Sequence, residues 1–442
     1  MNKLQEYLDH HDISEMHPSE IANILKQLDD GEFSNAVKLI PKDIIGDVAL
    51  ALPDRLFDDV VESLTVDELS HAVSELESDD QADFMQELED VDEEVASQVF
   101  ETLHADDQEE ITKLKNYEEN EAGSYMQFEL FVAYKDEIVQ DVIKRFARLR
   151  KENEIENVQN LFITNKDHRL KYAVGLDDLL IFDFSKTIIE NIQESDESFE
   201  PIKAQDTDDI KEVVHIFEEY DLSVLAIVNA YGVLLGRITS DDIYDIINEH
   251  ATEQMYNLAG VDDEAEDDDE IINAGKKRAT WLGLNLFTAI AASLVIGLFS
   301  DTLESMVALA VLMPIVASMG GNAGTQSLTV VVRQLALGDI SKGDAKRIIK
   351  KEAAIALFNG LLFAIIIGFI AYIWFGIGML GIVIALSMII NLLMAGFFGA
   401  MVPLFLKRMD IDPAIGSTVI LTTVTDVVGF FSFLGLATYI LL

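Results

Sequence analysis

Thr418, Thr422 and Asp426 follow one another at spacings of four residues, so a helix lines their oxygens along one face. Asp426 is the one charged residue in the apolar run from 413 to 442, and a carboxylate near mid-helix costs on the order of 2.5–3.5 kcal/mol on insertion scales. Something must stabilise it there, either an interhelical hydrogen bond or a cation. An oxygen-only strip suits a hard cation, Mg2+ above all where the site is roomy, because Mg2+ keeps several of its waters.

A second polar stretch lies between Pro314 and Ile340, where nine small and polar residues, Met319 to Ser327, interrupt an apolar helix. Asn322, Thr325 and Gln326 supply further oxygens, while Gly320, Gly321 and Gly324 allow close backbone approach. Polar or non-helical backbone at membrane depth persists only where it is buried in protein or lines a water-filled cavity, so a broken helix on a pathway is expected. Asn359 and Asn391 lack such company and read as interhelical hydrogen bonds. Five helices enclose little space, and one aspartate makes a poor divalent site. A twofold dimer bringing two Asp426 side chains around one axis answers both difficulties.

Cysteine is absent and all eight histidines precede residue 281. Disulfides, thiolate metal sites, cysteine nucleophiles and a histidine proton relay in the membrane are thereby excluded. One isolated intramembrane carboxylate offers neither an acid/base pair nor a nucleophile with its base, so an enzyme is the least favoured class.

These groups sit in a sequence made of two materials. Eight acidic and eight basic residues lie from Trp281 to Leu442, which leaves 71 acids against 23 bases before Trp281 and the whole net charge of −48 there. Clustered carboxylates repel unless cations lie between them, and they exclude nucleic acid as a partner. Apolar runs at 281–299, 304–332, 353–375, 378–406 and 413–442 are each long enough to cross about 30 Å of hydrocarbon. The basic loops all fall on one side, with Lys276, Lys277 and Arg278 before the first span and Lys407 and Arg408 before the fifth. The positive-inside rule therefore predicts a bilayer-embedded chain with its N-terminus inside and its C-terminus outside. MNKLQEYLDHHD has no apolar core and does not read as a signal peptide, so residues 1–280 are expected in the cytoplasm.

From Pro18 to His104 short amphipathic units recur, with capping boxes expected at Thr65–Glu68 and Ser78–Gln81. Helices this short must stack, which predicts a superhelical α-domain. The N-domain acids Asp79, Asp80, Asp83 and Asp92 receive no partner from the sequence. Residues 161–180 then align without a gap on 225–244, each copy reading as strand, Asn-led turn, strand, and a helix opened by paired aspartates. Two β-α-β-β-α units are predicted.

That pattern, with Asp221 before the strand and ITSDDI after the hairpin, resembles a pair of CBS domains, modules that often bind adenine nucleotides. The Thr/Ser-x-x-Asp of such nucleotide sites is matched by Thr239 and Asp242 in the second copy, whereas the first has Gly175 in the hydroxyl position. ATP is thus a candidate ligand of the second copy, and a plain dimerisation scaffold the alternative.

GGNAGTQS with VVRQLALGDI, DPA at 412–414 and TTVTDVVGF from Thr422 to Phe430 resemble the MgtE family of magnesium channels over nearly the whole chain. The resemblance implies a multidomain fold, with an all-α superhelical N domain (1–118), an α/β tandem CBS pair (119–185 and 186–250), a linking plug helix with an acidic segment (251–280) and a five-span α-helical membrane domain (281–442). It implies a homodimeric Mg2+-selective channel in which Asp426 holds hydrated Mg2+ and Asn322 lines the same site. It further implies regulatory Mg2+ at Asp221, Asp242, Asp245 and Glu253, closing the pore from inside. Gln254 and His250 stand where the family continues its acidic row, and Asp262–Glu270 is a possible replacement. Two other readings remain at this stage: a cation-coupled exchanger of Mg2+, Co2+ or Mn2+, and a membrane-anchored nucleotide or ion sensor that does not transport.

Overall fold

The computed structural model describes residues 2–11, 16–152, 155, 157–261, 271–336, 340, 343–409 and 411–442. They form two compact units, Met1–Asn248 and Glu249–Leu442. The acidic segment Asp262–Glu270 lies outside the described residues.

Short helices open the first unit: α1 (Asn2–His10), α2 (Pro18–Leu25), α3 (Asp30–Val37), α4 (Ile45–Leu50) and α5 (Asp54–Ser63). They continue as α6 (Val66–Ser74), α7 (Ser78–Val91), α8 (Glu93–Thr102) and α9 (Ala105–Leu114). Each gives its apolar stripe to one core that includes Phe33, Phe57, Phe84 and Leu88. The expected capping box forms at the start of α6, where Thr65 N–H donates to Glu68 Oε2 at 3.1 Å and Glu68 N–H donates to Thr65 Oγ1 at 3.4 Å. The second expected box does not form. Ser78 is the first residue of α7 behind Glu77, and Gln81 Nε2 donates to the Leu76 carbonyl at 3.0 Å. The Ser78 hydroxyl is instead fully buried. It accepts the Phe128 N–H at 2.8 Å and donates to Glu129 Oε2 at 2.9 Å, a partner 51 residues away. A tertiary clasp has displaced the local cap.

Both predicted β-α-β-β-α units are present. The first runs β1 (Val132–Tyr134), α10 (Val139–Lys151), β2 (Asn160–Thr164), β3 (Leu170–Gly175) and α11 (Leu176–Ile181), followed by α12 (Ile188–Glu194). The second runs β4 (Lys203–Gln205), α13 (Ile210–Tyr220), β5 (Val224–Val228), β6 (Leu234–Thr239) and α14 (Ser240–Ala259). In each sheet the first strand pairs parallel and the third antiparallel with the central strand. The Asn-led turns are built alike. Asn165 Oδ1 accepts the N–H groups of Asp167 and Arg169, and Asn229 Oδ1 accepts those of Tyr231 and Val233. His168 and Gly232 take the matching left-handed position, with φ of 57° and 76°. The copies differ at their ends: α14 runs unbroken through the predicted linking helix to Gly260, because no glycine or proline intervenes after Ser240.

The second unit contains five helices long and apolar enough to cross a membrane: α15 (Ile271–Gly297), α17 (Val307–Ala336), α18 (Ala345–Phe375), α19 (Gly378–Arg408) and α20 (Ser417–Leu441). Between the first two lies the short α16 (Ser300–Ser305). The expected break at Met319–Ser327 is absent, since α17 is helical throughout. Glycines there serve packing instead. A Cβ at Gly324 would press on the Leu421 side chain at 3.0 Å, and one at Gly399 would meet the Gly324 carbonyl at 2.7 Å. The neighbours α19 and α20 hold the polar turn of α17 in the helical ladder.

Thr65→Ala should lower the stability of residues 1–248 by about 1 kcal/mol, the usual worth of an N-cap. Ser78→Ala should cost about 1–3 kcal/mol, because it strips partners from a buried N–H and a carboxylate. Urea unfolding followed by circular dichroism separates the two; equal losses would refute the clasp.

Candidate functional site

In the membrane unit, α17 divides into two faces. Gly320, Gly324, Ser327, Leu328 and Val331 are buried, whereas Asn322, Thr325 and Gln326 are exposed and Gly321 is half-exposed. Gly321 does not serve a helix contact, for an added Cβ would meet nothing within 4 Å. Asn322 Nδ2 donates to Ser318 Oγ at 3.3 Å, which leaves its carbonyl oxygen on the open side. On α20, Thr418, Thr422 and Asp426 share a half-buried face. Thr422 Oγ1 donates to the Thr418 carbonyl at 2.9 Å, so its lone pairs remain available as acceptors.

Register brings the two polar strips level. Gly324 packs on Leu421, while Gly320 and Gly429 both pack on the Asn391 side chain. The two helices thus run antiparallel at this point, and Asn322, midway between Gly320 and Gly324, stands at the height of residues 425 and 426. Asn391 on α19 makes the expected interhelical bond, donating from Nδ2 to the Val316 carbonyl at 2.8 Å.

Thr418 has a further partner: its hydroxyl donates to the Leu258 carbonyl of α14 at 2.9 Å. Leu258 packs with Leu328, Val332, Ala414 and Leu421. The last turn of α14 is therefore fastened by one hydrogen bond and an apolar plug to α17 and α20, at the Thr418 end of the strip. On the same helix Glu253 is engaged locally, with His250 Nδ1 at 3.3 Å and Asn257 Nδ2 donating at 3.5 Å.

A second concentration of oxygens, missed from sequence, lies in the first unit where α7 meets the second repeat. Arg237 of β6 is 2% exposed and donates from Nε to Gln127 Oε1 at 3.1 Å and from Nη1 to the Asn157 carbonyl at 3.1 Å. Its ion pair with Glu77 stands at 3.7 Å. Burial pushes the Glu77 carboxyl up to about 7 despite that guanidinium. Burial likewise raises Asp80 to about 7, helped by the charge of Asp242, and lifts the enclosed Asp79 well above the usual carboxylate range. Asp242, raised to about 6 by burial, is held by the N–H and hydroxyl of Thr239 at 3.1 and 2.8 Å. Glu77 Oε1 and Asp79 Oδ1 are buried with no hydrogen-bond partner among the described residues. The sequence signal was Asp79 standing on the same stripe as the core residues Ala82 and Met85. Asp221 is a left-handed helix terminus with φ of 50°, and it and Asp245 are exposed. Among the described residues no three His, Asp or Glu side chains stand so as to hold a metal ion by themselves.

Thr239 and Asp242 thus bond each other across the first turn of α14. In the first repeat a Cβ at Gly175 would collide with Asp177 Oδ1, which leaves no room for the hydroxyl.

Comparison with known proteins matches three parts of the chain. A family described as divalent cation transporter, MgtE, matches residues 313–436. The MgtE intracellular N domain matches 16–120, and the CBS domain 197–249. The magnesium transporter MgtE of Thermus thermophilus is 30% identical over 334 residues, covering 75% of this chain and 72% of its own. That of Bacillus subtilis is 29% identical over 343 residues, covering 76% and 73%. A solved structure described as the cytosolic domain of the Mg2+ channel MgtE in complex with ATP is 26% identical, covers 55% of this chain and 98% of that one, and has a TM-score of 0.49.

Because the folded pKa values of Glu77, Asp80 and Asp242 exceed their unfolded ones, the folded unit holds protons that the unfolded chain has released. That contribution to stability is complete below about pH 4 and is lost as pH rises through 6 and 7. Residues 1–248 in chelator should melt higher at pH 5 than at pH 7.5, and Asp79→Asn with Asp80→Asn should flatten the difference. An unchanged melting temperature across that range would refute this.

Proposed function

The chain belongs to the MgtE family, and on that premise we propose that it is a Mg2+-selective channel of the cytoplasmic membrane, a homodimer closed by intracellular Mg2+. One observation carries the reading: Asn322, Thr325 and Gln326 lie exposed on a membrane helix, level with the half-buried Asp426. Lipid cannot satisfy such groups, so this face turns to water or to another protein. A second copy related by a twofold axis sets two such faces opposite each other and places two Asp426 carboxylates on one pathway. Mg2+ passes as substrate with much of its water shell, held by Asp426 and lined by Asn322, Thr325, Gln326, Thr422 and Thr418, with Gly321 leaving room. The N-terminus and residues 1–280 then face the cytoplasm and the C-terminus faces out, as the basic loops require.

For regulation, the buried carboxylates fit a cation. Glu77 Oε1 and Asp79 Oδ1 lack hydrogen-bond partners, and Asp80 and Asp242 add like charge. Mg2+ held by Asp242 with the α7 acids would supply the missing positive charge and favour the docked unit. Asp221, Asp245 and Glu253 would bind further ions. One helix carries Asp242 and Asp245 near its start and Leu258 near its end. The Leu258–Thr418 contact supports α14 as the element that shuts the pore. A ligand shifts such an equilibrium only by its preference for the closed form. ATP would bind the second repeat at Thr239 and Asp242, and Gly175 leaves the first repeat without it.

Asp426→Asn should reduce Mg2+ flux into proteoliposomes roughly tenfold or more, the factor expected for a lost charge-assisted contact. Wild-type flux from that variant would refute the pore. Removing residues 1–250 should leave flux insensitive to internal Mg2+, and retained inhibition would refute the sensor. Single-channel steps, as opposed to saturable counter-ion-dependent flux, exclude an exchanger.

A further inference from the structure

We propose that Asn391, which nothing in the pathway touches, is the residue that sets the spacing and level of the two pore walls; this rests on the assignment of Asn322 and Asp426 to one pathway. The side chain is 0% exposed, and its helix neighbours Met388 and Leu392 belong to the apolar core of the membrane unit. A leucine would match those surroundings. Asparagine instead brings a buried Oδ1 with no hydrogen-bond partner among the described residues, which lowers stability. Packing alone therefore does not account for it.

Its position does. The carboxamide is wedged between two glycines on different helices: a Cβ at Gly320 would collide with Asn391 Nδ2, and one at Gly429 would lie 2.9 Å from the same atom. Gly320 precedes Asn322 by two residues, and Gly429 follows Asp426 by three. Nδ2 also donates to the Val316 carbonyl at 2.8 Å, in the turn of α17 that ends at Gly320. One planar group thus spaces α17 from α20 and fixes the height of α17 by a directional bond. Apolar contacts would supply the spacing but would let α17 slide or rotate, carrying Asn322 away from the level of Asp426. In a site for a hydrated cation, a shift of that kind changes affinity and ion preference before it changes throughput.

Full-length protein in proteoliposomes tests this, with Mg2+ and Ca2+ as the ions and Asp426→Ala alongside. Asn391→Leu, which keeps the branched four-atom outline of the side chain and removes the hydrogen bond, should raise the Mg2+ concentration for half-maximal flux roughly tenfold and narrow the preference for Mg2+ over Ca2+, with maximal flux changed by no more than about twofold. Gly320→Ala should impair flux in the wild-type background and be neutral in Asn391→Ala, because the methyl then fills the vacated notch. The proposal is overturned if Asn391→Leu keeps wild-type half-saturation and ion preference, or if Gly320→Ala costs the same in both backgrounds. Should Asn391→Ala not elute as the wild type does in size exclusion, Asn391→Leu alone decides. Wild-type flux from Asp426→Ala would instead overturn the pathway itself, so the two failures are distinguishable.

Discussion

Hydrocarbon offers no partner to an oxygen, and the membrane unit is arranged around that fact. Several buried polar groups find partners inside the bundle: Thr302 with Thr438 at 2.8 Å, Ser387 with Ser432 at 3.4 Å, and the Asn391 Nδ2 with the Val316 carbonyl. Asn322, Thr325 and Gln326 are treated differently, exposed at the surface of a single chain, and Asp426 is only half-buried. Glycines at 320, 324, 399 and 429 let α17, α19 and α20 approach closely enough to hold that polar strip on unbroken helices. Rigidity of the wall and exposure of its oxygens arise from the same close packing.

The first unit obeys a complementary constraint, the repulsion of like charges out of water. Arg237 is a cation enclosed beside Glu77, and it is already divided among Gln127, the Asn157 carbonyl and that carboxylate. Glu77, Asp79, Asp80 and Asp242 are therefore undercompensated, and burial with neighbouring like charge raises their affinity for protons. Meanwhile the Ser78 clasp ties α7 to the Phe128 N–H and the Glu129 carboxylate, and Ala82 and Leu114 share one apolar core with Met126 and with Ile210 of the second repeat.

Duplication supplies the frame of the two repeats, and divergence distinguishes them. Both repeats keep the same Asx turns and the same register shift at the end of the central strand, between Ile163 and Thr164 and between Ile227 and Val228. Only the second carries the Thr239–Asp242 pair and a final helix of 20 residues, whereas the first ends in a helix of 6. Asp242 and the long final helix thus belong to one copy.

Local patterns in the chain determined a great deal. Period-2 and period-3.6 alternation, Asn-led turns and the 64-residue offset specify the paired repeats, because these features act over a few residues. Apolar length specifies the five spans, and the spacing of Thr418, Thr422 and Asp426 specifies one oxygen-bearing face. What tertiary structure alone decided involves residues far apart in sequence. Whether Met319–Ser327 breaks or stays helical depends on Asn391 and Leu421 filling the space around Gly320 and Gly324. Ser78 abandons a local cap for Glu129 because burial rewards the partner that also closes an interface. The α7 carboxylates acquire raised pKa values only once Asp242 and the second repeat enclose them. Charge spacing along a chain can show which acids share a helix face, but desolvation depends on what packs over that face.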